Sequence, residues 1–203
     1  MTLASTYPYA GAFLIGLSKA GFATGLGMLT TPLLATAMSA REALGVVLPL
    51  LCVADLFTIS LYWKKWDFSL VKFPLAGVVL GTAIGMFFVN TISDHGLKFS
   101  IGLTGLVLVV LLIVRNIWYP EKTYRPSWWQ GVVVGIAAGF TSTISHGAGP
   151  IIAIFLIAQK PDKIVFVASS AIYFTLGNLV KVSPYLVAGV INKETLLKDL
   201  YLL

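Results

Sequence analysis

Two stretches of this chain are hydrophobic segments interrupted near the middle by glycines and small polar residues. The first runs from Leu17 to Gly27 and the second from Gly139 to Gly149, and their Gly-x-Gly pairs lie 122 residues apart. Interrupting a helix in a bilayer leaves backbone N–H and C=O groups unpaired, which is tolerated only where protein or a polar cavity covers them. A duplicated interruption therefore predicts a binding site inside a membrane protein.

The composition indicates an all-α polytopic membrane protein. The chain is 58% hydrophobic and 11% charged, with a mean hydropathy of +0.91. No basic region precedes the first apolar run and Lys19 interrupts it, so we expect this run to stay in the protein rather than to be cleaved as a signal peptide. The net charge of +6 lies mainly in loops, which favours contact with lipid headgroups and not with nucleic acid. A single cysteine, Cys52, excludes an internal disulfide and a cysteine-rich metal site, and we expect no metal and no cofactor.

The hydropathy pattern predicts a duplicated helical bundle in which a glycine-broken helix opens each repeat. We interpret residues 1–120 as the first transmembrane repeat and residues 121–203 as a second, incomplete repeat that lacks its last helices. The predicted segments are a broken span at 8–38, helices at about 43–63, 71–90 and 97–117, a second broken span at 127–158, a helix at 162–190, and the start of another from about 195.

A second match supports the duplication. Asp55–Tyr62 aligns with Asn178–Tyr185 at an offset of 123, close to the 122 of the glycine pairs. Leucine, serine and tyrosine are identical in the two segments, and Asp55 is paired with Asn178.

The orientation of the repeats stays open between two arrangements. If the broken spans cross the bilayer, the repeats are parallel and the N-terminus is cytoplasmic. If they are re-entrant hairpins, the repeats are inverted and the N-terminus is outside. Either way, eight of the twelve basic residues outside the spans are cytoplasmic, as are loops 63–72 and 115–129.

Charged and polar residues within the spans are the candidates for function. Lys19 precedes the first break, where its cation and exposed N–H groups could attract an anion; alternatively, it snorkels or pairs with Asp55. His146 could bind an anion or relay protons, or it could be a neutral ring bonded to a carbonyl that the break has freed. Asp55 and Asn178 are expected near mid-depth, with Asp55 a proton-coupling group or a counter-ion of Lys19 or Lys181. We expect Lys181, near its helix end, to snorkel.

Small residues at the breaks complete the predicted site. Hydroxyls there can bind an oxyanion or cap the half-helices, and glycines let backbone N–H groups approach a substrate. The predicted substrate-binding set is Lys19, Gly21, Thr24, Gly25, Gly27, Ser142, Ser145, His146, Gly147 and Gly149. The spaced glycines Gly77, Gly81, Gly85 and Gly131, Gly135, Gly139 are instead predicted to allow close helix packing.

An intramembrane Ser-His enzyme fits the sequence poorly. Ser145 and His146 are adjacent, and adjacent helical residues diverge by about 100°. The other histidine, His95, lies in a short loop, and no Gly-x-Ser-x-Gly motif is present. No nucleotide-binding motif occurs either, so transport would draw on an ion or substrate gradient.

Several motifs together resemble the sulfite exporter TauE/SafE family of membrane proteins. They are the segment Gly25–Pro32, His146–Pro150, the helix entry Arg41–Gly45 and the glycine-rich helix Gly77–Gly85. The resemblance implies a plasma-membrane transporter built by duplication, which exports sulfur-containing anions such as sulfite or organosulfonates. The partners it implies are a small anion and the lipid bilayer, and a homo-oligomer is compatible with it. A passive anion channel and an accessory subunit that needs a partner remain alternatives.

Overall fold

The computed structural model describes residues 26–118 and 125–200, together with the isolated positions 11, 13, 15 and 16. Within these residues the regular elements are all helical. After a 3₁₀ turn at Leu26–Leu29, the helices are α1 (Thr30–Ala35), α2 (Ala40–Leu61), α3 (Lys72–Thr91), α4 (Asp94–Trp118), α5 (Trp128–Ser145), α6 (Gly149–Ile157), α7 (Lys163–Val187) and α8 (Lys193–Leu200). A second 3₁₀ turn lies at Phe68–Leu70.

The helices confirm the predicted all-α membrane fold. Four of them, Ala40–Leu61, Lys72–Thr91, Asp94–Val114 within α4, and Lys163–Val187, are long and apolar enough to cross a membrane. Their boundaries agree with the predicted spans to within a few residues. α2 and α4 each start three residues before their predicted positions, whereas α3, α5 and α7 start one residue after theirs. The Ser39 side chain accepts a hydrogen bond from the Glu42 N–H, and Ser127 forms a capping box with Gln130.

The second broken span is a hairpin that reverses at residues 146–148. α5 ends at Ser145, His146 adopts a left-handed backbone with φ of 53°, and α6 starts at Gly149. The Phe155 ring tip lies 3.7 Å from the Cβ position of Gly131, near the start of α5. A straight helix would separate these residues by about 36 Å. α6 therefore returns towards the side from which α5 entered.

Much of the first broken span lies outside the described residues, but one contact joins described residues on its two sides. The Cβ position of Gly11 lies 3.3 Å from Thr30 Cγ2 and 3.4 Å from Leu34 Cδ1. Residues before and after the first break are therefore neighbours in space.

α3 and α5 pack side by side in parallel through glycines, which confirms the packing role predicted for those residues. A Cβ on Gly77 would lie 2.2 Å from Val132 O, one on Gly81 2.2 Å from Ile136 O, and one on Gly135 2.0 Å from Pro74 O. Backbone thus touches backbone, as small residues permit in membrane helix pairs. We call this contact, formed by Gly77, Gly81, Gly85, Gly131, Gly135 and Gly139, the glycine interface.

α2 and α7 are antiparallel. The Cβ position of Gly45, near the start of α2, meets Val190 O just beyond α7, whereas Asp67 N, beyond the end of α2, donates to Ser169 Oγ near the start of α7 at 3.0 Å. α2 and α7 begin at Ala40 and Lys163, an offset of 123. The antiparallel helices and the α5–α6 hairpin fit the inverted arrangement. The duplication and its boundary at residue 120, which falls in the undescribed residues 119–124, stay predictions.

Candidate functional site

The reversal after α5 puts a helix end inside the bundle. The last carbonyl groups of a helix have no partners within it and need other donors. The N–H of His146 donates to Ser142 O at 3.0 Å, and that of Gly147 donates to Thr141 O at 3.4 Å. Tyr185 of α7 adds a side-chain donor, because its hydroxyl bonds Thr143 O at 2.6 Å. The broken end is thus stabilised partly by α7.

Lys181 of α7 is buried at this helix end, with 1% of its surface exposed. Its Nζ lies 2.8 Å from Ser142 Oγ, 3.4 Å from Ser142 O and 3.1 Å from His146 Nδ1. The expectation that Lys181 snorkels to the surface is therefore wrong. The residue lies on the face of α7 that meets α5, and its Nζ finds hydrogen-bond acceptors there.

His146 links this helix end to α2. Its Nε2 lies 3.2 Å from Leu44 O. A carbonyl oxygen only accepts hydrogen bonds, so Nε2 carries the proton and Nδ1 accepts from the Lys181 ammonium. These contacts describe a neutral ring bonded to a carbonyl, the simpler of the two roles considered for His146. The carbonyl belongs to α2 and was not freed by the break.

Asp55 and Asn178 contact each other in the interior. Asn178 Nδ2 donates to Asp55 Oδ2 at 2.6 Å, and the two residues are 1% and 5% exposed. Asn178 and Lys181 are three residues apart on α7 and therefore share one face of that helix. We call the resulting group, Asp55, Ser142, His146, Asn178 and Lys181, the polar seam.

The other hydroxyls near the break do not cap the half-helices. Ser145 Oγ donates to Thr141 O at 2.9 Å, and Thr143 Oγ1 donates to Gly139 O at 2.8 Å, so both bond back within α5. The residue that caps α6, Ala148, provides no side-chain hydrogen bond. Capping by hydroxyls is therefore wrong for the second break.

The remaining predicted site residues fall into two sets. Gly147 lies in the reversal, and a Cβ there would lie 2.9 Å from Ser145 Oγ. Gly149 begins α6. Gly27 is part of the 3₁₀ turn. Lys19, Gly21, Thr24 and Gly25 lie outside the described residues.

A small cavity adjoins the polar seam between α3, α5 and α7. Its volume of about 10 Å³ is close to what one water molecule needs. Ser142 and Asn178 line it together with Thr82 and Tyr173, which the sequence analysis did not select. Thr82 Oγ1 and Tyr173 OH are buried without a hydrogen-bond partner. A threonine inside the glycine-rich run of α3 was the one available signal.

Across residues 26–118 and 125–200, no three His, Cys, Asp or Glu side chains are grouped as metal ligands would be. The polar seam is instead a network of hydrogen bonds around a buried ammonium and a buried carboxylate.

Comparison with known proteins places the chain in one family. A family model described as "Sulfite exporter TauE/SafE" matches residues 9–203, nearly the whole chain. No curated protein and no solved structure matched the chain. The family match covers both glycine-broken segments, the helices between them and the polar seam. The chain therefore belongs to the sulfite exporter TauE/SafE family, a family of membrane transporters.

Proposed function

We propose that this protein is a secondary transporter of the cell membrane that exports a small sulfur-containing anion, of the sulfite or organosulfonate type. The observation that carries the proposal is the buried Lys181 ammonium at the broken end of α5. A lysine within a bilayer costs about 2.5–3.5 kcal/mol on insertion scales and marks a substrate or ion pathway by default. A buried cation is the group that an anionic substrate requires.

Some of the groups around Lys181 can be exchanged for a substrate. Ser142 Oγ, Ser142 O and His146 Nδ1 are uncharged acceptors. Hydrogen bonds between an ammonium and an anionic oxygen are roughly twice as strong as those between neutral groups. A sulfite or sulfonate oxygen can therefore replace one of these acceptors at a small net cost.

The hairpin also favours charge separation at this point. The C-terminal end of α5 carries a partial negative charge and stabilises the Lys181 ammonium, while the N-terminal end of α6 carries a partial positive charge. A cation and an anion can thus lie at the two ends of the break. By analogy, Lys19, Gly21, Thr24, Gly25 and Gly27 at the first break would contribute to the same site.

Asp55 is the candidate for proton coupling. It is a buried carboxylate that accepts from Asn178, one turn from Lys181 on α7. Protonation of Asp55 would change the charge close to the Lys181 ammonium that binds the substrate. Proton movement would thereby be linked to anion binding. A cavity with room for about one water supports alternating access rather than a permanently open channel.

The test is flux of labelled sulfite and of methanesulfonate in proteoliposomes that contain the full chain, with and without a pH gradient. We expect saturable flux that follows the gradient. In Lys181→Met, which keeps the length of the side chain, flux should fall at least about tenfold because a charge-assisted hydrogen bond is lost.

The matched control is Lys98→Met. Lys98 is a half-exposed lysine that pairs with Asp94 at 3.7 Å near the start of α4. Its flux should equal that of the unmodified chain. Lys19→Ala and Asp55→Asn test the predicted site and the coupling, and Asp55→Asn should make flux insensitive to the pH gradient. Absence of flux from folded, unmodified protein would contradict the proposal.

A further inference from the structure

Two residues that line the cavity carry buried hydroxyls. Thr82 and Tyr173 are each 2% exposed, and the described part of the chain provides no hydrogen-bond partner for Thr82 Oγ1 or Tyr173 OH. Burying a hydroxyl without a partner destabilises a folded protein, and such groups are uncommon in native structures. Both residues line the same cavity, beside the polar seam. A ligand that widens this cavity would come close to two hydroxyls that have no partner among the described residues.

We propose that Thr82 and Tyr173 are the residues that select the substrate, by donating hydrogen bonds to the oxygens of an –SO₃ group. This inference rests on the proposed function and assigns the recognition chemistry of the same site. The hydroxyls come from different helices, Thr82 from α3 and Tyr173 from α7, so one anion joins both helices when it binds.

Ser142 supplies a third donor. Its oxygen accepts from Lys181 Nζ at 2.8 Å, which leaves its own hydroxyl hydrogen available. Three residues that line the cavity thus carry hydroxyls, on α3, α5 and α7. The Lys181 ammonium donates to one of these hydroxyls, that of Ser142. Sulfite and sulfonates each carry three oxygens on one sulfur, so every oxygen can accept from one hydroxyl.

This arrangement discriminates by shape as well as charge. A monatomic anion such as chloride has no separate oxygens to accept from three fixed donors. Sites built around hydrogen bonds reject ligands that leave their buried polar groups unpaired. The cavity is also lined by Val78 and Phe174, which can accommodate the apolar part of an organosulfonate.

The substrate must widen the cavity, because about 10 Å³ holds one water but not a four-atom anion. α3 and α5 are in backbone contact at Gly81 and Gly135. A Cβ on Gly177 of α7, by contrast, would meet nothing closer than Val78 Cγ1 at 3.9 Å. The cavity therefore opens by movement of α7 away from the α3–α5 pair.

The test compares Thr82→Val and Tyr173→Phe, which remove the hydroxyls while keeping side-chain shape. Thermal unfolding and the KM for sulfite and methanesulfonate uptake are measured on the same proteoliposome preparations. We expect each variant to unfold at or above the temperature of the unmodified chain, since an unpaired hydroxyl is removed. The KM should rise about tenfold or more, because a donor to the substrate is lost.

The matched control is Ser170→Ala. Ser170 Oγ is also buried without a partner on α7 but does not line the cavity. This variant should change thermal stability alone and leave the KM unchanged. Thr82→Ser keeps a hydroxyl and should keep the KM within about threefold of the unmodified value, which also covers the case that Thr82→Val does not fold.

The possible outcomes separate this inference from the proposed function. If the unmodified chain takes up neither anion, the proposed function fails and this inference fails with it. If uptake is normal and the KM is unchanged in Thr82→Val and Tyr173→Phe, only the inference is overturned, and a water molecule is the occupant of the cavity. Equal inhibition of uptake by chloride and methanesulfonate would also overturn it.

Discussion

α5 takes part in both the glycine interface and the polar seam, and it meets its neighbours there by opposite means. In the glycine interface, backbone packs on backbone, and a Cβ on Gly135 would lie 2.0 Å from Pro74 O. In the polar seam, buried side chains meet through hydrogen bonds, such as Asn178 to Asp55 and Lys181 to Ser142. The first contact allows one separation of the helices. The polar seam consists of hydrogen bonds whose partners can be exchanged. We therefore expect helix movement and substrate binding at the polar seam and not at the glycine interface.

Substituting a glycine of the glycine interface should have the largest effect. Gly135→Ala puts a methyl group against the Pro74 carbonyl and forces α3 and α5 apart, so we expect a loss of about 3 kcal/mol or more in unfolding free energy. Gly105→Ala on α4, where nothing lies within 4 Å, should stay within about 0.5 kcal/mol. Thermal unfolding of the two purified variants measures the difference. Equal stability of both would show that the interface is not rigid.

The next largest effect should come from the charge pattern of the polar seam. Asn178→Asp brings a second carboxylate to the 2.6 Å contact with Asp55, and we expect a loss of about 2 kcal/mol or more. Asp55→Asn combined with Asn178→Asp restores one carboxylate and one carboxamide and should recover most of that loss. A double-mutant cycle of unfolding free energies measures the coupling. Additive single effects would argue against direct pairing.

Two buried tyrosines of α7 should respond with opposite signs. Tyr185 donates to Thr143 O at 2.6 Å, so Tyr185→Phe leaves a carbonyl at the broken helix end unpaired and should cost about 1–2 kcal/mol. Tyr173 has no partner, so Tyr173→Phe should be neutral or stabilising. The comparison requires unfolding curves of both variants in the absence of substrate. A loss of stability in both would mean that Tyr173 is paired in the free protein.

The smallest effect on stability is expected at Gly177. A Cβ there lies at ordinary contact distance, 3.9 Å from Val78 Cγ1, so Gly177→Ala should stay within about 1 kcal/mol of the unmodified chain. It narrows the cavity nevertheless, and uptake of an organosulfonate should fall more than uptake of the smaller sulfite. Gly102→Ala, on a part of α4 with open space, is the control. If Gly177→Ala lowered the uptake of both anions by the same factor relative to the unmodified chain, opening of the cavity by movement of α7 at this point would be contradicted.

The fold was largely predictable because its determinants are local. Apolar runs, capping residues such as Ser39 and the glycines before Pro150 define where helices begin, break and end. The break at 146–148 was predicted from residue type alone. Its reversal was one of two open alternatives, because a crossing segment and a hairpin have the same hydropathy pattern.

The candidate site was harder to predict because its contacts join distant parts of the chain. Lys181 was expected to snorkel because it is near the end of its helix. Its partners Ser142 and His146 lie at the end of another helix, and nothing in the sequence around Lys181 indicates that contact. Thr82 and Tyr173 gave a weaker signal still. A threonine or tyrosine in an apolar helix is usually a packing residue. These two are distinguished only because they line the cavity and have no partner among the described residues.

The hydrogen bond between Asp55 and Asn178 has a consequence for the ancestry of the chain. The predicted duplication makes these residues counterparts, and a residue can touch its own counterpart only next to a twofold axis. In a dimer of identical half-length proteins, the same amino acid would stand on both sides of that axis, and two carboxylates there would repel each other. If the halves descend from such a dimer, this unlike pair became available only after they were joined in one gene, when each side could mutate separately.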